Sequence, residues 1–405
     1  MPNRRTLMLT AVLGLGTLTA LLGGPITAAN AGGQFGVNTT AKGNQWLNAI
    51  ARLANERFVV VWESDSGPNR ADVYAQLFSS SGARFGVNFP VSAGRGKQTV
   101  PAVAALTDGS FVVVWVSDTQ NPNGTVYGQL FAANGTYLGR PFRIGDPSSA
   151  QATPQVSALS DGGFVVVWAS SPDGSSDSSY DIVGRRFSVD GTGVGHQFRA
   201  NKDRAGAQMR PSVAGRADGG FTVVWDSAED DGSGGTDYFI RGQSFAADGS
   251  RSGVGLIVKR GVSELKRPRI ATLVGGGFVV TWEAANRRLT PVSNVYAQRY
   301  SEADTQVGGL IRVHQSSRSE VNPAVGGLAN GGFVVAWSND SFANILVQRY
   351  AGDGALVGNA VRVNEKTDAI RDWAGIAPSG DGGFAVSWDG QDGSALGVFG
   401  RTFKQ

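Results

Sequence analysis

The chain has 405 residues, 41% of them apolar and 58 of them glycine, enough for a large buried core made of short strands and tight turns. It holds no cysteine, which excludes disulfides, thiolate zinc sites, a cysteine nucleophile and lipoprotein-type lipidation. The formal net charge of +3 falls to +1 without residues 1–31 (3 − 2, for Arg4 and Arg5), leaving no electrostatic footprint for nucleic acid.

Residues 1–31 read as an export signal. Arg4 and Arg5 precede an apolar stretch from Leu7 to Leu22, and Ala29-Asn30-Ala31 is a small-residue cleavage motif before Gly32. The run from Asn3 to Met8 resembles the twin-arginine export pattern, and the general secretory route fits the same residues. No later stretch approaches the ~20 apolar residues of a membrane helix. The expectation is a bacterial leader over 1–31 and one domain over 32–405. That domain would be secreted or held in the periplasm or at the cell surface, with no integral membrane segment after cleavage.

Next comes a lone strand, Gln34 to Asn38, which matches Arg84 to Asn88 in the first full repeat. A glycine-rich turn and an apolar run ending in tryptophan then recur seven times. The runs begin at Phe58, Phe111, Phe164, Phe221, Phe278, Phe333 and Phe384, with spacings of 53, 53, 57, 57, 55 and 51 residues. Such a period marks a repeat architecture.

Each repeat reads as four strands. Strand a, Pro101 to Leu106 in the second repeat, puts proline at its first residue and a β-branched residue two further on. A turn such as Asp108-Gly109 predicts a two-residue hairpin with positive φ. Strand b, Phe-Val-Val-Val-Trp, is apolar on both faces and must be covered on both. Strand c ends in an aromatic, with Gln76, Gln129, Arg185, Gln243, Gln298, Gln348 or Arg401 two residues before it. Strand d is short, as in Phe142-Arg143-Ile144. The last repeat stops after strand c, Val398 to Phe403, so the lone N-terminal strand can complete it. The predicted fold is all-β, a seven-bladed β-propeller of four-stranded blades closed by an N-terminal outer strand paired with the C-terminal blade.

From strand-b tryptophan to strand-c aromatic the separations are 16, 16, 19, 20, 18, 13 and 15 residues, so the b–c loops carry the variation. In a propeller these loops share a face with the d–a connections, and variable loops on a rigid scaffold are where binding concentrates. Acidic loops there offer Asp230, Asp231 and Asp237, and Asp173 with Asp177. Oxygen ligands on glycine turns suit calcium, with Asp173, Asp177 and Asp231 as its candidate ligands, although solvated turn residues explain them more simply. No other cofactor is implied. Burial between blades accounts for the seven repeated tryptophans and backbone satisfaction for the strand-c amides. Trp46 and Trp373 stand outside the repeated phrase, near the start of strand a in blades one and seven, and are the aromatic candidates for a ligand pocket. Only His196 and His314 exist, so no catalytic triad has a motif, and no catalytic residue is assigned.

The unit resembles a repeat of secreted bacterial surface proteins, including large calcium-binding, haemolysin-type and adhesin-like polypeptides. It is plainest from Gln151 to Trp168 and from Tyr127 to Phe131, and it extends over about residues 34–403. The resemblance implies a scaffold; the glycine–aspartate nonapeptides of the haemolysin-type proteins are absent from the sequence. The expected function is a non-catalytic, lectin-like propeller that binds an extracellular glycan or protein through its variable-loop face. The alternatives are an extracellular polysaccharide hydrolase or lyase, and a structural component of the cell envelope.

Overall fold

The computed structural model describes residues 31–39, 43–65, 71–92, 95–172, 180–261, 263–286, 292–339, 344–366, 371–393 and 395–405. The export signal expected over 1–31 therefore lies, apart from Ala31, outside the described residues, as do Asp173 and Asp177. Strand β1 (Phe35–Gly36) comes first and belongs to the last blade. Blade one is β2 (Gln45–Arg52), β3 (Phe58–Ser64), β4 (Asp72–Phe78) and β5 (Arg84–Pro90). Blade two is β6 (Gln98–Ala105), β7 (Phe111–Ser117), β8 (Thr125–Phe131) and β9 (Tyr137–Arg143). Blade three follows with β10 (Ala150–Ala158), β11 (Phe164–Ser171), β12 (Asp181–Phe187) and β13 (Gly193–Arg199). Blade four has the longest strands, β14 (Ala207–Gly215), β15 (Phe221–Asp230), β16 (Thr236–Phe245) and β17 (Arg251–Gly261). Blade five holds β18 (Leu265–Thr272), β19 (Phe278–Asn286), β20 (Val292–Tyr300) and β21 (Gln306–Arg312). Blade six holds β22 (Glu320–Gly327), β23 (Phe333–Asn339), β24 (Asn344–Tyr350) and β25 (Leu356–Arg362). Blade seven is β26 (Arg371–Pro378), β27 (Phe384–Asp392) and β28 (Ala395–Phe403), with β1 as its outer strand.

Every pairing within a blade is antiparallel, and each innermost strand packs on the next, with β26 against β2. The molecule is a seven-bladed β-propeller. Among the described residues, no helix is long and apolar enough to cross a membrane.

The two-faced strand b makes this ring. Phe111, Val113 and Trp115 of β7 pack with Val59 and Val61 of blade one. Val112 and Val114 face the other way and pack with Phe164, Val166 and Trp168 of blade three. The exchange continues around to blade seven, whose Ala385 joins Phe58, Val60 and Trp62 of blade one. Within each blade the strand-b phenylalanine stacks on the strand-c aromatic, as Phe58 does on Phe78 at 5.1 Å and Phe333 on Tyr350 at 4.7 Å.

Closure is by β1. Phe35 pairs with Gly400 and Gly36 with Phe399, Val37 N donates to Val398 O at 2.7 Å, and Ala31 bridges Phe403. Regular pairing is shorter than the five residues expected, because Val398 N turns to the Asn38 side chain at 2.8 Å. The Phe35 ring packs where a Cβ on Gly400 would stand 2.5 Å from it, and it lies 5.0 Å from the Phe78 ring.

Two local expectations need correction. The a–b turn is not a two-residue hairpin: Gly109 N donates to Leu106 O at 3.1 Å and Leu106 N to Ser110 O at 2.8 Å. Gly109 alone of Asp108-Gly109 has positive φ, 88°. This is a type I turn followed by a glycine bulge, held by the Asp108 carboxylate on Ser110 N at 2.9 Å. The proline of strand a is also not its first residue. Strand β6 begins at Gln98, and its register shifts between Thr99 and Ala102. The bulge skips Val100 and Pro101, so the missing proline N–H leaves no gap in the ladder.

The repeated amides serve the scaffold. Gln76 Nε2 donates to Leu77 O at 2.9 Å and Phe85 O at 3.1 Å, where the β4–β5 register shifts. Gln129, Gln243, Gln298 and Gln348 do the same in their blades. Gln45, Gln98 and Gln208 accept the indole N–H of Trp62, Trp115 and Trp225 at 3.1, 2.5 and 2.8 Å.

Candidate functional site

The bulge in strand a builds the mouth of the central channel. Eleven residues before each strand-b phenylalanine stand Leu47, Val100, Thr153, Arg210, Arg267, Asn322 and Trp373, all with φ between 48° and 53°. None is glycine, and left-handed backbone is strained for side chains of this bulk. Seven such residues form a ring at the start of the innermost strands, on the face of the b–c and d–a loops.

The bulge also frees a backbone N–H that needs an acceptor. In four blades the residue after the strand-b tryptophan is acidic: Glu63, Asp226, Glu283 and Asp389, none more than 5% exposed. Each accepts from the next blade. Asp389 takes Leu47 N at 2.7 Å, Glu63 takes Val100 N at 3.2 Å, Asp226 takes Arg267 N at 3.0 Å and Glu283 takes Asn322 N at 3.4 Å. In blade six the equivalent residue is Ser338. There Asp372 of blade seven accepts from Ser338 Oγ, Asn322 Nδ2 and Trp373 N at 2.9, 2.5 and 2.8 Å. The carboxylates thus tie neighbouring blades together around the axis.

Burial disfavours their charge. It pushes Asp389 up to about 8, against the opposing bonds from Asn48 and Leu47, with the nearby Asp372 adding to the rise. Burial likewise raises Asp226, Asp372 and Glu63, while Arg210, Asn322 and Val100 N respectively oppose it. Asp372 and Asp389 sit directly opposite each other across the β26–β27 ladder.

Cations and the Trp373 ring lie near these acids. Arg210 grips Asp226 with two bonds, 2.8 and 3.0 Å. Lys266 and Arg267 both pair with Glu283, at 3.4 and 3.1 Å. The Arg267 guanidinium of blade five reaches past blade six to 5.5 Å from the Trp373 ring of blade seven. Trp373 is half-buried on the channel wall, and its carbonyl accepts from Asn48 Nδ2 at 2.8 Å. The lining of the concave mouth itself offers an aromatic face in Trp373 and polar groups in Asn48, Gln155, Ser212 and Arg269, a combination suited to hydroxyl-rich ligands, while the carboxylates lie beneath it.

Trp46 lies on the neighbouring innermost strand, where its side chain bonds the Glu63 carboxylate. Asp230, Asp231 and Asp237 are on the far side of the ring, in the projecting b–c hairpin of blade four. Asp230 accepts from Gly232 N at 2.7 Å, and Asp231 accepts from Ser233 N, Ser233 Oγ and Gly235 N at 2.8, 2.8 and 2.9 Å. Asp237 pairs with Arg260 at 2.6 Å. The structure therefore places Trp46 and Trp373 on adjacent strands and does not bring the blade-four acids to them. Among the described residues no three metal-ligating side chains gather.

Sequence reasoning missed Glu63, Asp226, Glu283, Asp372 and Asp389 as a set. The signal was a repeated Trp-acid dipeptide, Trp62-Glu63, Trp225-Asp226, Trp282-Glu283 and Trp388-Asp389.

No protein-family model and no curated protein matches the chain, so the resemblance to haemolysin-type repeats gains no support there. Solved structures do match. An ulvan lyase, a polysaccharide lyase solved with a -[GlcA(1-4)Rha3S]- ligand, superposes with a TM-score of 0.61 at 12% identity, covering 91% of this chain and 95% of that one. An α-L-arabinanase of Penicillium chrysogenum complexed with arabinobiose gives 0.53 at 15% identity, over 75% and 92%. A protein of unknown function from Dyadobacter fermentans gives 0.51 at 10% identity, over 92% and 97%. These likenesses show the fold alone.

Proposed function

We propose that this chain is an exported propeller that binds a glycan, without transforming it, at the mouth of its central channel. The observation that carries the reading is Trp373. A large aromatic is held at φ 50° on the channel wall, beneath an arginine from two blades away. The strained φ is common to all seven bulges; the half-exposed aromatic face and the arginine over it are what set this blade apart. Propellers of the same fold solved with saccharides, the ulvan lyase and the arabinanase, support a sugar as the ligand class. Trp46, on the adjacent strand, would extend the aromatic surface.

The experiment is a glycan array followed by titration of the best ligand into wild type and Trp373→Ala. Loss of the stacking face is expected to weaken binding by about tenfold. An array and an envelope pull-down that both come back empty, or a variant that binds like wild type, would sink the reading.

A hydrolase or lyase is the second reading, favoured by the Asp372–Asp389 pair and the rise of Asp389 to about 8, which keeps a proton available near neutrality. Both side chains are engaged in capping backbone N–H groups beneath the surface. New reducing ends or unsaturated sugars released from the same glycans would decide for catalysis.

A further inference from the structure

The channel below the mouth departs from the symmetry of the ring. Nine residues before each strand-b phenylalanine, the innermost strands carry Ala49, Ala102, Ala324 and Gly375 on four blades, and Gln155, Ser212 and Arg269 on the consecutive blades three, four and five. All seven line one cavity of ≈ 300 Å³ on the axis. Half of its circumference is therefore small and apolar, leaving room, while the other half presents an amide, a hydroxyl and a guanidinium.

Arg269 is the one charged residue among the described residues of that wall. Its Nη1 donates to the carbonyl of its neighbour Pro268 at 3.0 Å, and it makes no ion pair among the described residues. Arg210 and Arg267, which share its side of the mouth, are both committed to carboxylates. The carboxylate that attracts it, Asp226, is already held by Arg210 and by Arg267 N. Leaving a guanidinium in a confined space without an ion-pair partner of its own is costly, and scaffolds avoid it unless something else supplies the anion. Burial lowers Arg269 to about 10, with Arg267 and Arg210 repelling and Asp226 attracting its proton, so the group stays charged at neutral pH. Its planar fork suits two oxygens of one carboxylate or sulfate.

We propose that Arg269 binds an oxyanion inside the channel, the carboxylate or sulfate of an acidic sugar, with Ser212 of the adjacent blade and Gln155 of the blade beyond as polar contacts. That the anion belongs to a sugar rests on the glycan reading above; the anion site itself does not. A cavity of this size holds a single acidic unit whose remainder extends up to Trp373.

The test titrates the full protein with sodium sulfate, glucuronate and glucose, for wild type, Arg269→Gln, Arg269→Lys and the remote control Arg140→Gln on exposed β9. Sulfate or glucuronate should bind wild type and Arg140→Gln, and should bind Arg269→Gln weaker by about tenfold or more. Arg269→Lys, which keeps the charge and loses the fork, should fall between. Ligand-free Arg269→Gln should melt higher than wild type, because an uncompensated charge is removed; a merely structural arginine would give the opposite. Binding of sulfate alone assigns the site to sulfate esters, and of glucuronate alone to uronates. Glucose binding as tightly as glucuronate, an Arg269→Gln affinity equal to wild type, or no anion binding at all would overturn the proposal. Sulfate held by Arg269 in a protein that binds no oligosaccharide would sink the glycan reading and leave the anion site standing.

Discussion

A carboxylate placed after a buried tryptophan works against its own charge, and this sets a sign for the pH dependence. Glu63, Asp226, Asp372 and Asp389 are all raised by burial, so the folded state holds their protons more tightly than the unfolded chain does. Their contribution is fully present at low pH and is lost as pH climbs from about 4 through the folded values, about 8 for Asp389. The turn caps Asp146 and Asp381 are lowered by Ser148 and Ser379 hydrogen bonds, and their contribution disappears as pH falls below about 4. The melting temperature should therefore peak in mildly acidic buffer and decline towards pH 8, and Asp389→Asn should flatten that decline. A melt series with no fall between pH 5 and 8 would contradict this. The dipeptide Trp388-Asp389 was visible in the chain, but its acceptor role was not, since the N–H it caps belongs to Leu47 of another blade.

At the level of the strand, the innermost element is the one whose form the chain hid. Its residues are small or β-branched as an inner strand requires, yet alternation alone gives no hint of a bulge that puts Val100 at φ 53°. A β-branched side chain there carries strain of about 1–2 kcal/mol, whereas glycine would cost about 0.5–1 kcal/mol in chain entropy. Val100→Gly should thus leave stability unchanged or slightly raised in urea unfolding. Val113→Gly, fully buried in the regular part of β7, should lose several kcal/mol by the same measurement. Equal losses in both would mean that the bulge is not strained. The strand-c amides were more legible: Gln76 and its cognates repeat with the scaffold, and they satisfy scaffold carbonyls.

For the whole molecule, stability depends on joining the first strand to the last. Phe35 lies between Gly400 and the Phe58–Phe78 stack, so Phe35→Ala should cost about 2 kcal/mol. A chain lacking residues 1–39 should go further and self-associate through the exposed edge of β28. Light scattering showing a monomer as stable as wild type would refute closure as the locking device. The number of blades, the two-faced strand b and the pairing of the chain ends were written in the linear order of residues. Periodicity is a local property, and a strand apolar on both sides has to be sandwiched wherever it lies. The site was not. Trp373 and Arg267 are 106 residues apart (373 − 267), and Arg269 acquires meaning only beside the alanines and glycine of four other blades. Radial folding brings one repeat position from seven distant segments onto a single axis, and only there does a departure from the repeat become a pocket.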